Sequence, residues 1–193
     1  MGSFPDNEYL NQAFKDLDCT AGIFHNRIFT SCIFEKCLFP AADFTSSIFA
    51  DSKFIHCELV LTKFINCGLR EITFQDCKLV GVDFTRCTVN FFALKFEDCL
   101  LDTCNFAGRN LKRAPFLRCA IRDSVFQETN LESADFNGSD LEKTAFHHCN
   151  LEKADFTGAR NYTINPGTNQ VAGAKFSLPE AVSLLRGLGI KLG

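Results

Sequence analysis

The 193-residue chain carries 20 basic and 23 acidic residues, with a net charge of −3 and a pI near 5.8. That balance excludes the basic footprint of a nucleic-acid binder. An apolar fraction of 46% is enough for one domain or one continuous repeat array with a long core. No apolar run approaches the ~18 residues of a membrane span, and the first residues lack the basic-then-apolar order of a secretory leader, so no membrane partner is expected.

In chain order, residues 1–11 precede the regular pattern and are expected to cap it, with Tyr9, Leu10 and Phe14 as the apolar candidates around that start. From residue 12 a five-residue rhythm takes over. It is clearest from Phe24 through Phe29, Phe34, Phe39, Phe44, Phe49, Phe54, Leu59, Phe64, Leu69, Phe74, Leu79, Phe84 and Val89. On an α-helix a step of five turns about 140°, which scatters these side chains around the cylinder. On a straight strand an odd step alternates faces and leaves half of them in water. The chain must instead turn a corner in every unit, aiming each apolar residue at one axis, which is the signature of a solenoid.

Between Val89 and Phe96 the step is seven residues, through Asn90–Lys95, and the array falls into halves, 12–89 and 96–161. This slip is either a bulge that buries one Phe or a short projecting loop, with Phe91 and Phe92 as its candidate contacts. The rhythm resumes at Phe96 and runs through Leu101, Phe106, Leu111, Phe116, Ile121, Phe126, Leu131, Phe136, Leu141, Phe146 and Leu151 to Phe156.

Ten of the eleven cysteines stand two residues before a central apolar residue, in a slot otherwise filled mostly by Ala, Ser and Thr; Cys19 alone is central. The slot selects small volume, so the cysteines read as small buried hydrophobes and free thiols, and a reducing, cytoplasmic setting follows. Arg27 and Arg109 occupy the same slot, where an unpaired guanidinium would be costly, so each must bend outward or open its corner.

Units such as Ala42-Asp43-Phe44-Thr45-Ser46, Ala134-Asp135-Phe136-Asn137-Gly138 and Ala154-Asp155-Phe156-Thr157-Gly158 repeat the order small, polar, large apolar, polar, polar. Over Gln12–Arg160 the chain resembles the pentapeptide-repeat proteins, whose consensus is A(D/N)LXX. The resemblance implies an all-β, right-handed quadrilateral β-helix of about seven coils, with about 20 residues per turn. Several details agree. Phe and Leu alternate from Phe54 onward, which keeps four rings from meeting in one layer. Asn110, Asn130 and Asn150 lie 20 apart, as do Cys37, Cys57 and Cys77.

The rhythm stops at Asn161, leaving 162–193 as a C-terminal segment. There Ser177 is a candidate N-cap, Ala181, Val182, Leu184, Leu185 and Leu188 make an apolar stripe, and Gly187 suits the helix stop. Such a helix covers the terminal rung. This tail resembles those of quinolone-resistance (Qnr) members, in which the helix also builds a twofold dimer.

Nothing in the sequence reads as an enzyme: no phosphate loop, nucleophile elbow or zinc spacing is present, and no cofactor or metal is expected. His147 and His148 point outward in the repeat frame while Cys149 points inward, which argues against a shared metal site. The Qnr resemblance implies a DNA-mimicking rod that binds DNA gyrase or topoisomerase IV and protects against quinolones or other poisons, with no direct contact to nucleic acid. Residues 121–160 hold eight acids against four bases, a local net of −4. Asp123, Glu128, Glu132, Asp135, Asp140, Glu142, Glu152 and Asp155 are therefore the candidate mimicking charges. The basic cluster Arg109, Lys112, Arg113, Arg118 and Arg122 beside them points the other way. A rigid scaffold for an unrelated protein partner, using outward apolar residues such as Ile28, Ile48, Leu38, Val60 and Val80, stands as the alternative.

Overall fold

The computed structural model describes residues 2–90 and 92–190. Short parallel strands, mostly of three residues, stack into a right-handed quadrilateral β-helix of about eight coils with one short C-terminal helix. Each five-residue unit supplies one wall. Its central residue points inward, its two neighbours outward, and the residue two after the centre turns the corner at positive φ, as at Lys36 (53°), Leu61 (54°) and Asp123 (46°). A step of 20 residues returns to the same wall: Phe14 pairs with Phe34, Phe34 with Phe54, and Phe54 with Phe74.

The core is built from columns of like residues. On the first wall Phe14, Phe34, Phe54, Phe74, Phe96, Phe116, Phe136, Phe156 and Phe176 stack with centroids 4.7–5.2 Å apart and planes within 5–19°. The third wall carries a second column from Phe24 to Phe146. In the C-terminal half the two columns meet edge to face, as at Phe116–Phe126 (5.6 Å, 89°), while Leu and Ile fill the second and fourth walls. The first coils do place four phenylalanines in a layer. They fit because successive rings turn edge-on, 71° between Phe29 and Phe34 and 78° between Phe34 and Phe39; such pairs contribute beyond their buried area.

The small slot before each centre does more than save volume. Some corners close with a backbone bond inside the turn, as from the Ala134 N–H to the Leu131 carbonyl (3.0 Å). Others leave that N–H free, and a side chain in the next coil accepts it. The Cys119 N–H donates to Ser139 Oγ (2.8 Å), and that hydroxyl donates to the Phe116 carbonyl (2.6 Å). Ser47, Ser52 and Ser124 repeat the device, and Asn169 performs it for the Cys149 N–H (2.9 Å). Thiols take part: Cys67 Sγ donates to the Phe44 carbonyl (2.7 Å), and Cys77 Sγ accepts from the Cys57 N–H (3.3 Å). Reading cysteine as a plain hydrophobe therefore missed half of its role. All eleven thiols are free and buried. Burial pushes the thiols of Cys67 and Cys104 up to about 12.

Both ends extend the expected array. Glu8–Leu10 pairs in parallel with Ile28–Thr30, so this stretch belongs to the rod rather than to a cap. Tyr9 is its inward residue and Leu10 faces solvent. Phe4 plugs the first coil instead, with its ring edge-on to Tyr9, Phe14, Phe24 and Phe29 at 4.8–5.7 Å. Arg27 bends outward and ties this segment down, donating to the Phe4 carbonyl and Asn7 Oδ1 (both 3.0 Å).

At the other end the ladder runs past Asn161, with Phe146 paired to Ile164 and Phe156 to Phe176. That coil is two residues short on the second wall, and the buried Tyr162 fills the resulting space. A 3-10 turn at Glu180–Val182 leads into the helix Ser183–Gly187. Ser177 does not cap it: its hydroxyl accepts from the Gly158 N–H (2.8 Å), and Pro179 stands at the N-cap. Gly187 is where the helix meets the rod, since a Cβ there would lie 3.0 Å from Asn165 Cα and Pro166 Cδ. The left-handed exit falls on Gly189 (φ 74°).

Three measurements check this arrangement. Ser139→Ala should lower unfolding stability by about 1–3 kcal/mol in denaturant titration, because it strands a buried N–H and a buried carbonyl together. The thiols should be inert to a thiol-reactive dye until the chain unfolds. Because burial raises the folded pKa values of Cys67 and Cys104, the stability these two lend is full below the unfolded value near 9 and is lost as pH rises through the folded values near 12. Urea midpoints should therefore fall between about pH 9 and 12, with ~1.4 kcal/mol lost per pH unit for each such thiol.

Candidate interaction surface

The centre of the rod is filled by side chains that are almost wholly buried, so the chemistry available lies on its walls. Among the described residues no group of three or more His, Cys, Asp or Glu is placed to hold a metal ion. His147 and His148 are exposed and touch only edge to face (4.1 Å). No helix among the described residues is long and apolar enough to cross a membrane.

The eight candidate acids do not share a wall. Asp135 and Asp155 lie on the first wall, Asp140 and Glu142 on the second, and Glu132 and Glu152 on the fourth; Asp123 and Glu128 stand on corners. Three are neutralised by bases one coil away: Glu132 by Lys112 (2.7 Å), Asp140 by Arg160 (3.2 Å) and Asp155 by Lys175 (3.1 Å). Each pair is 20 residues apart, as are Lys15–Glu35 and Arg118–Asp98. Counting charges in steps of 20 would have exposed them from the sequence. The Lys112 hydrogen bond holds the Glu132 carboxyl below its usual range. Burial works to raise Asp140, but the bonds from Asn161 and Arg160 outweigh it and hold the carboxyl low. The Thr157 hydrogen bond does the same for Asp155, with Lys175 assisting. Asp123, Glu128, Asp135, Glu142 and Glu152 have no ion-pair partner among the described residues.

The slip breaks the fourth wall. Its sheet stops at Gly68–Arg70, and its ladder resumes only at Asn110–Asn130. Val89, expected in the core, is 73% exposed. The chain bulges outward and rejoins the ladder where the Ala93 N–H reaches the Leu69 carbonyl (3.0 Å). Phe91 lies outside the described residues. Phe92 is half-buried, edge-on to Phe84 (6.3 Å), with the Arg109 guanidinium 5.7 Å from its ring centroid. Arg109 is satisfied only in part: its Nη1 donates to the Cys87 carbonyl (3.0 Å), closing an acceptor at the break, while its buried Nε has no hydrogen-bond partner among the described residues. Grooves flank the bulge. One of about 500 Å³ is lined by Ile48, Ala50, Gly68 and Thr88, and one of about 300 Å³ by Phe92, Lys95, Lys112 and Arg113.

In the C-terminal segment Leu184 packs against the core, Ala181, Val182 and Leu185 are half-buried, and Leu178, Leu188 and Ile190 are exposed.

Two sequence profiles match this chain: the pentapeptide repeat region over residues 27–106, and pentapeptide repeats (8 copies) over residues 124–160. Together they cover more than half of it. The chain belongs to the pentapeptide-repeat family. Among solved pentapeptide-repeat structures it is similar to a trypsin-treated variant of QnrB1, described as a plasmid-mediated fluoroquinolone resistance protein. The TM-score is 0.74 at 17% identity, over 96% of this chain and 99% of that one. A second trypsin-treated QnrB1 variant gives a TM-score of 0.69 at 18% identity, over 96% and 89% of the two chains. At these identities the likeness is one of fold. No curated protein matches the chain in sequence.

The depressed carboxyls make the rod acid-sensitive. Their stabilisation is present above the unfolded carboxylate pKa values and is lost as pH falls through the lower folded values. Replacing both Asp140 and Asp155 with Asn should flatten the decline in thermal midpoint below about pH 4.

Proposed function

We propose that the protein is a non-enzymatic rod that occupies the DNA cleft of a type II topoisomerase, DNA gyrase or topoisomerase IV, and protects it against quinolones or other poisons. The observation that carries this reading is the match of the whole chain to the whole of a trypsin-treated QnrB1, a fluoroquinolone resistance protein. The unneutralised carboxylates Asp123, Glu128, Asp135, Glu142 and Glu152 support it. They surround the C-terminal half on several sides, as phosphates surround a duplex, and dense negative charge is what competes for a DNA-binding cleft. Exposed Leu178, Leu188 and Ile190, next to the stripe from Ala181 to Leu185, support joining two rods end to end so that their acidic halves flank the centre. Buried free thiols suit a reducing cytoplasm.

A second reading, a scaffold for an unrelated protein, is favoured by the apolar residues exposed on the N-terminal half: Ile23, Ile33, Leu38, Ile48 and Leu61. One assay separates the two. Under the first reading, micromolar protein binds gyrase in a salt-sensitive way and restores supercoiling blocked by a quinolone. The triple variant Asp123→Lys, Glu128→Lys, Glu142→Lys stays folded and loses both effects. Unchanged supercoiling and quinolone inhibition with the wild-type protein would overturn it in favour of the scaffold.

A further inference from the structure

The second wall runs unbroken past the slip, and its outward rows are complementary to themselves in reverse. The row before the centres reads Asp18, Leu38, Glu58, Lys78, Leu100, Ala120, each bridged to the next. The row after them reads Thr20, Pro40, Val60, Val80, Asp102, Arg122, and the adjoining corner row places Leu61 beside Gly81.

A twofold axis lying in this wall, parallel to the strands and midway between the Glu58–Val60 and Lys78–Val80 rungs, returns each row to itself with the rungs reversed. Glu58 then faces Lys78 of a second copy, and Lys78 faces its Glu58. Val60 meets Val80, Leu38 meets Leu100, and the two Leu61 side chains, each leaning over its own Gly81, meet near the axis. Contacts of residue i with j and of j with i are what an isologous interface requires.

This surface leaves apolar and charged side chains unmatched. Leu61 is 60% exposed at φ 54°, a conformation that disfavours leucine, and Leu38 is 38% exposed. Leu61 leans across the position of Gly81, where a Cβ would approach its Cδ2 to 2.7 Å. Glu58 and Lys78 are exposed neighbours, yet neither forms an ion pair among the described residues.

We infer that two copies of this chain pair side by side and antiparallel through the second wall, centred on Glu58, Val60, Leu61, Lys78, Val80 and Gly81. The six rungs from Asp18 to Ala120 span about 24 Å. A contact one wall wide and that long sits at the low end of specific interfaces, so a micromolar dissociation constant is expected. The pairing is independent of any end-to-end contact between the C-terminal helices, which it leaves free.

Sedimentation equilibrium of the full chain from about 1 to 200 µM, with thermal midpoints measured in parallel, tests it. Glu58→Lys should weaken association about tenfold or more by setting like charges opposite each other twice, and Lys78→Glu should do the same. The double swap Glu58→Lys with Lys78→Glu should return the dissociation constant to within about threefold of wild type, because each facing pair is again of opposite sign. Leu61→Asp should abolish this association with the thermal midpoint unchanged. A chain that stays monomeric throughout overturns the inference. So does self-association that Glu58→Lys and Leu61→Asp leave intact, since that would be the end-to-end contact alone.

Discussion

A chain that turns a corner every five residues brings a backbone N–H to the inside of each corner, where no water can reach it. Everything else in this rod depends on how that group is satisfied. Either the turn closes on itself, as at Ala134, or a short side chain from the next coil reaches across, as Ser139 does for Cys119. An unpaired buried N–H costs free energy comparable to a lost hydrogen bond. With so many corners, a coil that missed this bond repeatedly could not be held by its apolar column alone. The requirement also explains the composition of the slot. Ser, Thr, Cys and, once, Asn are small enough for the corner and carry an atom that bonds the neighbouring coil.

This constraint shows why much of the fold was legible in the sequence and where legibility stopped. The inward column from Phe14 to Phe156 follows from the five-residue rhythm, because any other chain path would expose half of it. The small slot was readable too, but only as a volume, since the pattern does not reveal which backbone groups lack partners. Val89 obeyed the rhythm and left the core, while Phe92 broke the rhythm and approached it. At an insertion the chain optimises ladder bonds and burial together, and neither is visible in spacing. The tail defied capping logic because Ser177 found a stronger use for its hydroxyl, on the Gly158 N–H.

The charged surface was less legible than the core. Eight acids within forty residues look like a patch in a linear reading, yet the coil deals them onto different walls and sets Lys112, Arg160 and Lys175 against three of them. Exposed pairs of this kind add little stability. Their effect is to cancel field, so the effective negative surface is the smaller set that includes Asp123, Glu128 and Glu142. A solenoid converts sequence distance into surface position with a period of 20, and function on such a molecule has to be read at that period.

The break in the fourth wall has a mechanical meaning. Three walls carry continuous hydrogen-bonded ladders past the slip, and the fourth is cut between Gly68–Arg70 and Asn110. A closed square tube resists twisting far better than the same tube with a slit along part of one side. Torsion between the two halves therefore concentrates at this coil, where local backbone bonding is thinnest. The rod is stiff in bending along its intact walls and compliant in rotation at one place, so a partner gripping both halves could change the angle between their charged rows without disturbing the stacked phenylalanines.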